Sequence, residues 1–332
     1  MDFAFDANQL EFRDAVSGLL AEHCSPVQLR AAWENDNGRI PQLWDHLVEM
    51  GVVSLLAPES VGGLGLGYVD LVLILEASGW AGLPEPLVET AAVAVPLLAA
   101  HDPVKLRSVL AGGSVAARSP LDEHGVWIES CPWTLILDTD HAYVVAHEWI
   151  RTTARRSVDG ARRLGTVEVE STQFRAVGDT VAAAAAFDRG ALGFAAQQCG
   201  LAARMLHMTV EYAKQRTQFG LPIGSFQAVK HHLANARVAL EFARPLVYRA
   251  AWSIDAGHPQ ASMHVSMAKS AADDAAHVAG RAALQCHGAI GYTTEYDLHL
   301  YLKRSWALAR SWGDATWHRT RVGTALADRQ TA

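Results

Sequence analysis

The strongest constraint on how this chain can fold is a run of apolar residues in its last third. Val229, Leu233, Ala236, Leu240, Ala243, Val247, Ala250 and Ile254 follow one another in alternating steps of four and three. That near-heptad spacing puts them on one stripe of a single long helix, and so narrow a stripe is buried against other helices. The residues that follow, about 260–286, are rich in alanine, which lets helix axes approach closely. The pattern predicts an antiparallel four-helix bundle with short loops over residues 189–332. Pro245 lies inside the stripe, lacks a backbone donor, and is expected to kink or interrupt the first of these helices.

The first hundred residues also read as helical. Asp6 can cap a helix with Gln9 as its capping-box partner, and Leu10, Val16, Leu19 and Leu20 follow at near-helical spacing. Further helices are expected over residues 42–50 and 68–78. Between them "GGLGLG" follows a proline and lacks the lysine of a phosphate loop, so it reads as a tight connection between helices. Residues 102–188 differ in character. "TLILDTD", "AYVVAHEWI" and "GTVEVEST" are short β-branched and aromatic runs divided by turn residues, enough for a few strands in a small sheet or reduced barrel. The expected fold is mostly α with a small β domain. It divides into an N-terminal helical domain (1–101), a reduced middle β domain (102–188) and the C-terminal bundle (189–332).

Composition narrows the function. The formal net charge of −7 argues against non-specific nucleic-acid binding, which needs a basic surface. No apolar run reaches the length of a membrane span, and the start lacks the basic and apolar segments of a signal peptide, so a cytoplasmic protein with no membrane partner is expected. Cys24, Cys131, Cys199 and Cys286 lie far apart without metal-site spacing and read as core thiols. His231 and His232 are adjacent, a poor spacing for ligands on a helix, and no metal site is expected. Cys286 and His287 are likewise neighbours that do not aim together, and read as loop packing.

Three stretches carry a resemblance. They are "LWDHLVEMGVVSLLAPESVGGLGL", "RTQFGLPIGSFQAVKHHLA" and "QCHGAIGYTTEYDLHLYLKR", the last at residues 285–304. In order and spacing they resemble the acyl-CoA dehydrogenase family over nearly the whole chain. The resemblance implies FAD as cofactor and α,β-dehydrogenation of an acyl-CoA thioester. It also implies that Arg216, Gln218 and Phe219 reach across a subunit interface to the pyrophosphate and adenosine of an FAD held mainly by the neighbour. A guanidinium suits that task, because it is always charged and meets phosphate oxygens two at a time. Gln285, Gly288, Ala289 and Gly291 match the family's glycine-rich turn, whose backbone approaches the same cofactor.

Two departures from the family matter as much. Residues 102–188 lack the family's "LTEPxxGSD" loop and its tryptophan-containing strand; "AARSPLDEHGVWIES" stands where the first belongs. The catalytic glutamate is also missing. Gly313 in "SWGDATWHR" occupies its usual position and Gly190 in "FDRGALGF" its alternative one. Asp314 is a weak candidate base, one residue out of register. The resemblance therefore points to the small subunit of an α2β2 acyl-CoA dehydrogenase of the kind associated with actinobacterial steroid and cholesterol side-chain catabolism. The larger partner would supply the flavin-ring pocket and the glutamate and would bind most of the acyl-CoA. Two alternatives stand beside it: a self-sufficient flavoenzyme using Asp314, and a flavin-free scaffold or acyl-CoA-binding subunit.

Overall fold

In the computed structural model, which describes residues 4–170 and 176–331, Asp6 caps the first helix as expected. Its carboxylate accepts the Gln9 amide at 2.9 Å, and the Gln9 side chain accepts the Asp6 amide at 3.0 Å. The helix is α1 (Ala7–His23), followed by α2 (Pro26–Glu34), α3 (Leu43–Glu49) and α4 (Tyr68–Ala81). The glycine-rich stretch before α4 folds back on the segment it leaves. Gly65 donates to the Ala57 carbonyl at 2.9 Å and Leu66 to that of Leu55 at 3.1 Å, which makes it a tight connection. A π-helical segment, Val88–Ala94, then runs into α5 (Val95–His101), with α6 (Pro103–Leu110) behind it.

The middle region holds more strands than the sequence suggests, all of them short: β1 (Val115–Arg118), β2 (Gly125–Val126), β3 (Trp133–Leu137), β4 (Ala142–Ala146), β5 (Ile150–Arg151), β6 (Ala154–Arg155), β7 (Leu164–Gly165), β8 (Glu168–Val169) and β9 (Ala176–Gly178). They form an open seven-stranded sheet in the order β6-β7-β2-β1-β3-β4-β9, while β5 and β8 pair separately. β1 and β3 run parallel; the other neighbours in the sheet are antiparallel. "TLILDTD" and "AYVVAHEWI" supply the β3–β4 hairpin. "GTVEVEST" supplies only the end of β7 and β8, and its last two residues lie outside the described ones. Strand alternation divides the apolar side chains between two cores. Leu135, Leu137 and Val144 join the main helical core, whereas Ala116, Ile136 and Val145 cover a smaller one around Trp127.

The C-terminal half contains α7 (Thr180–Gln215), α8 (Gln227–Asp255), α9 (Ala261–His287), α10 (Leu298–Leu308) and α11 (Ala315–Thr331), with two-residue strands β10 (Thr217–Gln218) and β11 (Leu221–Pro222) between α7 and α8. Helix α7 begins ahead of Arg189, where the C-terminal bundle is expected to start. Asp179 caps it by accepting the Ala182 amide at 3.0 Å, and the alanine run behind that cap has no periodicity to reveal a helix. The stripe on α8 is buried as its spacing predicts: Ala236, Leu240, Ala243, Val247 and Ala250 are inside, with Val229, Leu233 and Ile254 half-buried at its ends. Pro245 does not interrupt the helix. It sits on the exposed face, where one missing hydrogen bond leaves nothing buried unpaired.

Two close contacts fix the N-terminal helices on the bundle. At the crossing of α4 and α7, a Cβ on Gly79 would lie 2.1 Å from the Gln197 carbonyl oxygen, and one on Gly200 would lie 2.0 Å from that of Glu76. Only glycine lets the two backbones meet there. At the far end of α8, the Asp255 carboxylate accepts the amides of Tyr68 and Val69 at 2.8 and 2.9 Å, capping α4 across the chain. All four cysteines are free, as expected, and Cys286 alone is not fully buried. Among the described residues no helix is long and apolar enough to cross a membrane.

Candidate functional site

Helix α7 ends at Gln215, and the chain turns back through a two-residue hairpin. Thr217 pairs with Pro222 and Gln218 with Leu221. The residues at its tip, Phe219 and Gly220, both have positive φ, +55° and +79°. Such a turn matches the twist of its strands and favours Asn-Gly, so a phenylalanine there is strained, at a cost of order 1–3 kcal/mol. The ring gains little burial in return: Phe219 is 92% exposed and touches Phe226 edge-on, with centroids 6.2 Å apart. Arg216 and Gln218 are exposed beside it. The Arg216 amide closes α7 on the Tyr212 carbonyl at 2.8 Å, and its own carbonyl accepts from Ile223 at 2.8 Å. Its backbone is therefore fixed while its guanidinium faces solvent.

The second motif meets the first at this end of the bundle. His287 closes α9, and its ring stacks on Tyr212 with centroids 4.3 Å apart; Tyr296 packs on His287 at 4.8 Å. Nδ1 of His287 donates to the Ala283 carbonyl at 2.8 Å, and burial lowers the ring's pKa, so the stacked ring is neutral. Cys286 and His287 thus belong to the last turn of a helix and not to a loop, and His287 is part of the wall that joins the two motifs. Gln285 is exposed on the last turn of α9, Gly288 and Ala289 are exposed on the turn that follows, and Gly291 is buried against His287 and Leu284. Gly288 has φ +63°. His231 and His232 are exposed, and no group of three or more His, Cys, Asp or Glu among the described residues could hold a metal ion.

The two glycines that the resemblance sets at the family's base positions are both closed by aromatic side chains. Trp312 is 2% exposed, and a Cβ on Gly190 would sit 2.3 Å from its Cε3. Phe187 and Phe194 pack around the same ring, with centroids at 5.9 and 6.2 Å. Gly313, at φ +85°, is equally closed: a Cβ there would meet His318 Nε2 and Trp317 Cε3 at 2.9 Å. Asp314 is engaged elsewhere. Its carboxylate accepts the Trp317 amide at 2.9 Å and caps α11.

Buried polar groups hold this plug in place. Lys269, fully buried, donates to Asp273 at 2.6 Å and to the Gly313 carbonyl at 3.2 Å. Burial raises the Asp273 carboxyl to about 6, against the pull of Lys269 and a hydrogen bond from Gln198. His318 is fully buried as well. Its Nε2 donates to the Trp312 carbonyl at 2.9 Å, which leaves Nδ1 to accept from Ser266 at 3.0 Å. Burial, with Lys269 and Arg321 nearby, pushes its pKa down to about 4.

Sequence reasoning missed Trp312, Lys269, Asp273, His318 and Tyr212. Only one signal for them was local: Lys269 and Asp273 stand four residues apart within an alanine-rich helix. Two family matches bracket the sheet. Residues 6–103 match the acyl-CoA dehydrogenase N-terminal domain and residues 178–327 its C-terminal domain. The chain is 35% identical to acyl-CoA dehydrogenase IpdE2 of Mycobacterium tuberculosis over 297 residues, 88% of this chain and 89% of that one. It is 33% identical to acyl-CoA dehydrogenase IpdE2 of Mycolicibacterium smegmatis, over 91% of this chain and 93% of that one. Its fold superposes on a chain of the ChsE4–ChsE5 complex from Mycobacterium tuberculosis with TM-score 0.88 and 25% identity, covering 98% of this chain and 99% of that one.

Proposed function

The chain belongs to the acyl-CoA dehydrogenase family, and from that premise we propose that it is the cofactor-completing subunit of a two-chain enzyme. The proposed reaction is α,β-dehydrogenation of an acyl-CoA thioester, steroid-derived as the resemblance implies, in an α2β2 assembly with a larger subunit. The observation that carries this reading is the closure of both base positions by Trp312 and its neighbours, together with an exposed hairpin at the other end of α7 bearing Arg216 and Phe219. The same fold keeps the edge that serves a neighbour and fills the centre that would serve itself. Similarity to a solved complex of two differently named chains supports the pairing.

The residues present fit one edge of a flavin dinucleotide. Arg216 stands outside every ion pair among the described residues, and its planar fork suits the pyrophosphate oxygens. Phe219 offers an apolar face to the adenosine end, and its rigid turn holds that face out before binding. Gln218 and Gln285 add amide donors, Gly288 and Ala289 leave backbone at the surface, and Gly291, buried behind them, shapes the turn. FAD, when bound, supplies the acceptor for the hydride that leaves Cβ. This chain's residues bind and orient; they move no proton in the reaction, since Asp314 is held as a helix cap and no carboxylate stands at residue 190 or 313. The engaged Asp314 also weighs against a self-sufficient enzyme.

Flavin stoichiometry tests the reading. Purified alone the chain is expected to be colourless, and purified with its partner the complex is expected to hold one FAD per pair of subunits. Stoichiometric flavin on the isolated chain, or two per pair, would overturn it.

A further inference from the structure

Helix α7 also carries Arg204, which opens onto a pocket of about 530 Å3 where α1 turns into α2 beneath α4 and α10. The pocket shares no residue with the hairpin or the turn after α9. Leu20, Ala77 and Ala81 line it with apolar surface. Trp80 and Tyr301 flank the guanidinium, whose carbon lies 5.4 and 5.2 Å from their ring centroids. The Arg204 Nε is buried with no hydrogen-bond partner, and Arg204 forms no ion pair among the described residues.

No other group in the wall supplies a counter-charge. The Cys24 thiol donates to the Ala81 carbonyl and stays neutral, since burial pushes it up to about 12. Burial raises the Tyr301 phenol in the same way. The pocket therefore presents one permanent cation, flanked by two rings, within a largely apolar wall. A half-buried charge without a partner is costly, and an anion entering beside it recovers the interaction in a setting where water screens it weakly. The volume lies in the range of small-molecule sites. We infer that this pocket binds a compact apolar molecule bearing a single carboxylate, whose oxygens meet the open edge of Arg204 while its body fills the space against Leu20, Ala77 and Trp80.

Calorimetric titration of the full chain with 2-naphthoate, and with 2-naphthylmethanol as its uncharged counterpart, tests this. One naphthoate is expected per chain, bound about tenfold or more tightly than the alcohol, as a charge-assisted hydrogen bond implies. Arg204→Met is expected to remove that preference and leave the alcohol's affinity unchanged. Ala21→Trp, at the exposed mouth of the pocket, is expected to block both probes at an unchanged Tm. This variant decides the matter if Arg204→Met fails to fold. Equal affinity for the two probes, no binding at millimolar concentration, or naphthoate binding that survives Ala21→Trp would each overturn the inference. The titration is repeated on the chain purified with its partner subunit, where binding is expected to persist; its loss there would make the pocket a subunit contact instead.

Discussion

The ring of Tyr212 lies 4.3 Å from that of His287, only 24° from parallel. These residues belong to two helices, α7 and α9; Tyr212 stands just before the motif that begins at Arg216, and His287 lies within the one that begins at Gln285. The stack thus sets the Arg216 hairpin and the Gly288 turn on one rigid end of the bundle. A cofactor edge built from two loops keeps its geometry only if the elements beneath them are locked together.

Arg216→Ala is expected to weaken FAD retention by the assembled enzyme without unfolding it. The lost contact is worth about 1.5–3 kcal/mol, roughly tenfold to a hundredfold in affinity. Flavin content after dilution and gel filtration reads the effect, and full occupancy would remove Arg216 from the site.

Phe219→Asn is expected to act in opposite directions on folding and assembly. Asparagine tolerates positive φ and suits a two-residue hairpin, so the isolated chain should gain about 1 kcal/mol in denaturant unfolding. Affinity for the flavin-loaded partner should fall with the loss of the ring. A variant neither more stable alone nor weaker in assembly would show that the exposed ring has no binding role.

Gly190→Ala is expected to destabilise the chain by about 1–3 kcal/mol, because the new methyl meets Trp312 at 2.3 Å and overpacks a closed core. That overrides the gain of roughly 1 kcal/mol that alanine brings to an open helix position. Combined with Trp312→Leu, the glycine change should cost much less than it does alone, since the indole it strikes is gone. Additive unfolding free energies would mean that the two sites do not press on each other.

Asp314 separates capping from catalysis. Asp314→Asn keeps a good cap and should leave both Tm and the rate of flavin reduction nearly unchanged. Asp314→Ala should lower stability by about 0.5–2 kcal/mol at an unchanged rate. A collapse in rate with Asp314→Asn at constant Tm would make this chain the source of the base, since losing a general base costs about a hundredfold or more.

Acid should weaken the plug through His318. Its folded pKa of about 4 lies below the usual histidine value near 6.5, so the unfolded chain takes up the proton first as pH falls. Stability from this group is present above 6.5 and is lost as pH falls toward 4, by about 2 kcal/mol between pH 7 and pH 5. Asp273, raised to about 6, works in the opposite sense within the same window. The comparison that isolates His318 is therefore wild type against His318→Gln, and the variant's unfolding free energy should fall less on acidification. Parallel pH profiles would contradict the buried neutral ring.

What could be read from the sequence was local or periodic. The Asp6–Gln9 capping box spans three residues, and the α8 stripe repeats a pattern set by helix geometry, so both are legible without knowledge of the fold. The sheet was under-read because its strands are two to five residues long and its central pair, β1 and β3, is parallel and not a hairpin. Helix α7 was entered late because alanine has no face. The motifs showed which residues could meet a cofactor, but their alignment on one end of the bundle depends on Tyr212 and His287, residues distant in sequence. The plug was invisible: nothing near Gly190 says that Trp312 will cover it, and a tryptophan before a glycine reads as ordinary core.

Trp312 also bears on descent. On the proposed reading, a chain with glycine at the base positions and an indole packed against residue 190 has no short way back to independent catalysis. Restoring a carboxylate at residue 190 first drives it into the ring, and removing the ring first leaves a void of comparable cost. Either opening step falls on a fold with only a few kcal/mol to lose. Dependence on a partner, once reached, behaves as a ratchet, and the two genes are then inherited to advantage only together.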